Sequence, residues 1–278
     1  MTARPTDLPD YTSPPVSEVS LGVQFNSLEL LRAPHLGLIW GAFKKDFPLV
    51  EDQPPVEQSF ETFAEKGGGV PVPRLSLQLL SSVPVPRVLF INEQRTELLQ
   101  VQRDHFYHNW RKVGEGDKYP RFEKMIATFE ESLRLLDSLL RSEKLGSIVP
   151  NQCEVTYINH VPVPKEKSTQ EVFEQLLGSW FEPPALGPLR KPEDARLLVR
   201  YVIHDKDTPV GRLLVSAEPA WRLDGSYIIQ LTLTARGKPR TEDCSGVIDF
   251  LHLGRAHIVR SFDALTTSEM HKIWGKKR

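Results

Sequence analysis

Residues 121–142 read RFEKMIATFEESLRLLDSLLRS. Phe122, Ile126, Phe129, Leu133, Leu136 and Leu140 step by four and three, so their side chains fall on one stripe of an α-helix. Glu130, Glu131 and Arg134 are among the charged residues on the remaining surface. A helix that is apolar on one side only has to lay that side on another layer. The flanking sequence supplies the strands of that layer. Downstream, Gly146 ends the helix, and Cys153, Val155 and Tyr157 then alternate with polar residues, the period of a half-buried strand. Upstream, Val88–Ile91 and Leu98–Arg103 flank the polar run Asn92-Glu93-Gln94-Arg95, which predicts a hairpin.

Further towards the N-terminus, Val19, Leu21, Val23 and Phe25 alternate with Ser20, Gly22 and Gln24, another half-buried strand. Leu36, Ile39, Trp40, Phe43 and Phe47 then fall at helical spacing. Pro34 stands in the first turn, where a missing N–H costs little, and Pro48 closes the helix. Residues 48–74 read as a loop containing Pro54-Pro55 and Gly67-Gly68-Gly69. The Val-Pro-Val-Pro steps at 70–73 and 83–86 read as edges or extended connectors, because proline cannot donate to a sheet ladder. Leu75, Leu77 and Leu79 between them suggest a short strand. Residues 1–15, polar and Pro-rich, read as a flexible lead. The order of elements over 16–163 predicts a ferredoxin-like β-α-β-β-α-β unit, an antiparallel sheet with helices on one face.

The second half opens on Ser168-Thr169-Gln170-Glu171, a capping-box pattern, continued as a helix by Phe173, Leu176, Leu177 and Trp180. A Pro/Gly-rich stretch from Pro183 to Pro192 breaks it. Strands are predicted at Arg196–His204, Val210–Ala217 and Tyr227–Ala235. Ile248, Leu251, Arg255, Ile258, Phe262 and Leu265 step along a further helix, and Thr266-Thr267-Ser268-Glu269 opens a short terminal one ending at Trp274-Gly275. Residues 164–278 thus predict an α-β-β-β-α unit. The fold class is α+β, with a domain break at Val161–Lys167, a third Val-Pro-Val-Pro step.

Lys and Arg total 35 against 36 Asp and Glu, a formal charge of −1. A balance this even argues against a dedicated polyanion binder, although it leaves room for a local basic patch. The two cysteines, Cys153 and Cys244, are far apart and form no Cys-x-x-Cys pair, which fits a reducing compartment without disulfides or zinc. The first residues lack an apolar signal-peptide core, and no run approaches the ~18 apolar residues of a membrane span. The expectation is a cytoplasmic, unanchored protein.

Motifs for chemistry are sparse. There is no Gly-x-Ser-x-Gly elbow, no phosphate-binding Gly-x-x-x-x-Gly-Lys-Ser/Thr loop and no Gly-x-Gly-x-x-Gly fingerprint. His105 and His108, at i,i+3, would share a face if helical, but no third ligand is spaced to complete a metal site. No metal and no cofactor is therefore expected. The most unusual stretch runs from Gln100 to Arg121. It interleaves Phe106, Tyr107, Trp110 and Tyr119 with Arg103, Arg111, Lys112 and Arg121. Such a mixture stacks bases and holds phosphates, or else anchors a loop to the core under the stems of its basic residues.

Four motifs resemble a sporadically distributed bacterial family of uncharacterised proteins of about 250–280 residues. They are Pro14-Pro15-Val16-Ser17-Glu18-Val19 followed by Gly22-Val23-Gln24-Phe25; Gln102-Arg103-Asp104, His108-Asn109-Trp110-Arg111 and Tyr119-Pro120; Asn151-Gln152-Cys153-Glu154-Val155-Thr156-Tyr157-Ile158-Asn159-His160; and His257, Phe262, Leu265 and Trp274. The resemblance spans nearly the whole chain. It implies no reaction, cofactor or catalytic residue, and suggests an accessory protein of defence or toxin–antitoxin loci.

The functional expectation is a non-catalytic binding protein for a protein or nucleic-acid partner. Arg103, His105, His108, Asn109, Trp110, Arg111, Tyr119, Asn159 and His160 are its candidate binding residues. The alternative is a metal-independent RNA-processing or nucleic-acid-binding enzyme, with His105, His108 or His160 as general acid or base and Arg103 or Arg111 as phosphate clamp.

Overall fold

The computed structural model describes residues 8–63, 85–179, 188 and 192–278. Their strands are β1 (Val16–Phe25), β2 (Leu49–Gln53), β3 (Arg87–Ile91), β4 (Glu97–Val101), β5 (His105–Arg111), β6 (Pro150–Pro162), β7 (Leu197–Asp205), β8 (Thr208–Trp221) and β9 (Tyr227–Gly237). The helices are α1 (Ala33–Phe43), α2 (Phe122–Ser142), α3 (Thr169–Leu176), α4 (Cys244–Leu265) and α5 (Ser268–Ile273). All nine strands join one antiparallel sheet in the order β2-β3-β4-β5-β1-β6-β9-β8-β7. The α+β class is therefore as the sequence predicts.

The alternation of side chains sorts this sheet into an apolar and a polar side. Val19, Leu21 and Val23 of β1 stand beside Trp110, His108 and Phe106 of β5 and beside Tyr157, Val155 and Cys153 of β6. These face α2 and α4. Phe106 meets Phe129 of α2 with ring centroids 5.7 Å apart. The stripe that opened the sequence reading, Phe122 to Leu140, is buried there along its length. On α4, Phe250 lies on the backbone of Gly211 and Gly237. A Cβ on Gly237 would stand 2.7 Å from the Phe250 ring and 2.2 Å from the Val210 carbonyl. Glycine at these two strand positions lets the helix settle onto the sheet. In α1, Phe43 stacks on Phe90 of β3.

Several expectations change. Residues 8–15 do not lie free. Tyr11 bridges to Lys276, its hydroxyl donates to Asp263 at 2.5 Å, and Thr12 and Ser13 donate to the carbonyls of Gly275 and Trp274. The described part of the lead is thus stitched to the last turn of the chain. Among its described residues the first half holds six strands, two more than a β-α-β-β-α-β unit. β2 lies within the stretch read as loop, and β5 occupies the aromatic-basic segment. The second-half sheet is not separate: β6 pairs with β9 from Cys153 to Pro162, across the expected break. The helix opened by Ser168 has both arms of its capping box, but it ends at Leu176. The strand read at 75–79, the glycine triplet, the connector at 70–73 and most of Pro183–Pro192 lie outside the described residues.

Candidate polar groove on the helix-free side of the sheet

The other side of the sheet carries the alternate residues. Ser20 and Gln24 of β1 stand beside Asn109 and His105 of β5 and beside Thr156 and Gln152 of β6, while Glu154 stands beside Arg236 of β9. Leu98 and Gln100 of β4 continue the side in one direction, and Arg212 and Leu214 of β8 in the other. Among the described residues no helix lies on it. Residues 54–63 cross it instead, as a strap.

The strap is held largely through its backbone. Gln102 accepts from the Val56 amide at 2.9 Å and donates to the Val56 carbonyl at 2.8 Å. Gln24 does the same to Ser59, at 2.9 and 3.3 Å. Each carboxamide thus pairs with the N–H and the C=O of one residue, as the backbone of a neighbouring strand would. Gln58 donates to the Phe25 carbonyl, and Arg236 donates to the Ser59 hydroxyl, both at 2.7 Å. At the far end Arg212 binds Glu61 at 2.5 Å and the Thr62 carbonyl at 2.7 Å, with its guanidinium over the Phe63 ring.

Between strap and strands lies an open groove of about 770 Å³, lined by Ser20, Gln100, His105, Tyr107, Thr156 and Arg236 among others. Tyr107 forms part of its floor because Gly22 has no side chain: a Cβ there would stand 2.1 Å from the Tyr107 ring. Burial, and then the nearby Glu154, push the Tyr107 phenol well above its ordinary value, so it stays protonated. Arg236 and Glu154 pair at 2.5 Å. Desolvation opposes the charge on Arg236, but its partner Glu154 outweighs that and holds the guanidinium above its usual value. Thr156 and Thr234 share a hydroxyl–hydroxyl bond at 2.9 Å. Arg87, Gln100, Asn109 and Glu18 form a chain of side-chain bonds at 2.7–2.8 Å. Gln152 Oε1, Thr232 Oγ1, Arg87 Nε and Arg200 Nε occupy alternate positions on the same side and are buried without a partner among the described residues.

The nine residues singled out in the sequence do not share one surface. His105 and His108 lie on a strand, not a helix, and strand geometry sends them to opposite sides of the sheet. That removes the shared face a metal would need. His105 lines the groove, with Nδ1 2.6 Å from Asp104. Asn109 lies on the same side, with both ends of its amide bonded, to Gln100 and Glu18. His108 is fully enclosed under α2 and bonds Glu97 at 3.2 Å. Trp110 is buried on that side too, against Tyr119. Tyr119 bonds Tyr157, and Asn159 donates to the Leu231 carbonyl. Arg103 is committed to Glu29 and the Leu28 carbonyl, and Arg111 to the Arg95 carbonyl. His160 lies further along β6 beside Gln230. Its imidazole is held below its ordinary value, first by burial and then by Arg222.

Gln24, Gln102, Tyr107, Glu154, Thr156 and Arg236 were not among the candidate binding residues read from the sequence. Their signal is present but faint. They are polar or amphipathic residues at alternate positions of strands or, for Gln102, just past the end of β4, and only the sheet order brings them side by side. No family model, no curated protein and no solved structure matches this chain.

Proposed function

We propose that this chain is a non-catalytic binding protein that takes an extended polypeptide segment into the groove beside the strap. One observation carries the reading: the polar side already grips a length of the chain's own backbone, through the N–H and C=O of Val56 and Ser59, by carboxamides at Gln102 and Gln24. Recognition through the backbone is the chemistry of strand-like peptide capture. The charge pattern favours polypeptide over nucleic acid. Arg236 is paired with Glu154 and Arg212 with Glu61, whereas a phosphate backbone calls for cations free to replace its counterions. The groove lies mostly on a first half that we read as an enlarged ferredoxin-like unit, in which β5, α2 and β6 form a split β-α-β around β1, and β9 adds Arg236 to it.

The test is selection of displayed random peptides on the purified chain, with Thr156→Trp as the groove-blocking variant. Selected peptides should bind the wild type, lose about tenfold or more on the variant and keep their affinity at about 0.5 M salt. Native-lysate capture, split into nuclease-treated and untreated halves, should give the same retained material in both. Retention that vanishes with nuclease and falls steeply with salt overturns the proposal in favour of nucleic acid.

A second reading, hydrolytic RNA processing, has one observation in its favour. Asp104 orients His105 inside the groove, in the manner of a carboxylate setting a general base. Its test is RNA cleavage that disappears in His105→Gln.

A further inference from the structure

A second cavity lies on the opposite side of the sheet, under the helices, separate from the groove. It is a narrow cleft, partly open to solvent, between the N-terminal stretch Pro9–Val16, the start of α2, β6 and α4. Most of its wall is apolar, with Pro14, Val16, Leu233, Ile258, Val259 and Phe262 contributing. Its polar wall holds Tyr119, Arg121, Glu123, Tyr157, Asn159 and Arg255. Arg255 is among the most buried charged residues, at 4% exposed. It donates to Glu123 at 3.1 Å and lies over the Phe122 ring, and its Nε has no acceptor among the described residues.

Tyr119 and Tyr157 share a hydroxyl–hydroxyl bond at 2.8 Å. Such a bond uses one of the two phenolic protons, and the other is left for a further acceptor. Burial, with the tyrosines' mutual proximity behind it, raises the Tyr119 phenol, and burial likewise raises that of Tyr157, so both protons are present. The N-terminus of α2 opens on the same wall. Its N-cap, Arg121, places no side chain on the first-turn amides and takes φ 77°, ψ 151°, a conformation that a residue with a Cβ rarely adopts. Helix N-termini favour anions, and a buried guanidinium Nε–H without an acceptor points to the same kind of group.

We propose that this cavity binds an amphipathic monocarboxylate, its carboxylate received by Arg255, the tyrosine pair and the α2 N-terminus, and its apolar body lying along α4. A carboxylate is acceptor-only, which matches the unpaired Nε–H of Arg255 and the spare proton of the tyrosine pair.

The experiment is calorimetric titration of the full chain with octanoate, octanol and octylamine. Octanoate binds, octanol binds at least about tenfold more weakly, and octylamine does not bind. Arg255→Lys, which keeps the charge but loses the planar fork, weakens octanoate selectively. Val259→Trp, which fills the cavity from α4, abolishes binding while the circular dichroism and melting temperature stay those of the wild type. Val16→Phe fills it from the other wall and serves if the tryptophan variant does not fold. Equal binding of octanoate and octanol, unchanged octanoate binding by a folded cavity-filled variant, or no octanoate binding by the wild type each overturns the proposal. The peptide-selection result on the groove is independent of all three.

Discussion

At the residue scale, the Arg236–Glu154 pair shows how the polar side of the sheet is kept in order. The two side chains are largely buried, at 21% and 15% exposed, and Arg236 also reaches Ser59 of the strap. Removing one member of such a pair leaves the other charge without compensation, and that loss exceeds what the pair itself contributes. Glu154→Gln should therefore cost about 3 kcal/mol, read as a shift of the urea midpoint at constant slope. The double replacement of Glu154 and Arg236 by Met should recover most of that loss. If Glu154→Gln unfolds at the wild-type midpoint, the pair does not organise this side. The period-two polarity of each strand was legible in the sequence. That Glu154 and Arg236, 82 residues apart, are cross-strand neighbours was not, because a strand's pattern says which residues share its face but not which strand lies beside it.

At the scale of elements, α2 was legible almost to the residue, because a long amphipathic stripe between a positive-φ glycine and a proline-bearing turn admits few other conformations. β5 was not. His105–Arg111 is buried on both sides of the strand, apart from a half-covered Tyr107 and Arg111, so it lacks the clean alternation by which half-buried strands are recognised. α4 carries a pH dependence. His252 meets Phe122 edge-on at 5.3 Å, and desolvation, with Arg255 as the next cause, holds its imidazole below the ordinary 6.5. His257 is lowered by desolvation and then by Arg260. For a lowered histidine the unfolded chain takes up its proton first as pH drops. The stabilisation is complete above the ordinary value of about 6.5 and is lost as pH falls through the folded value. Thermal melts stepped from pH 8 to pH 5 should show a falling melting temperature below about pH 6.5. A His252→Asn, His257→Asn double variant should show a shallower fall. An equal slope in both proteins would remove α4 as the source.

At the scale of the molecule, β6 is the seam. It pairs with β1 of the first half on one edge and with β9 of the second half on the other. Residues 164–278 alone would expose the whole β9 edge and the underside of α4, which packs on β6 as well as β9. A fragment beginning at residue 164 should therefore fail to give a cooperative melt, whereas the full chain should unfold in one transition followed alike by fluorescence and circular dichroism. Independent folding of the fragment would restore the picture of two separable units. By itself, the sequence determined the α+β class, the amphipathic helices, the capped start of α3 and the absence of a recognisable catalytic motif. Each of these depends on residues close together in the chain. The order of the strands, the strap across the polar side, the burial of Trp110 and His108, and the cleft at Arg255 were decided only by the tertiary structure. They depend on contacts between residues tens to hundreds of positions apart, and local periodicity carries no information about which distant strand a given edge will meet.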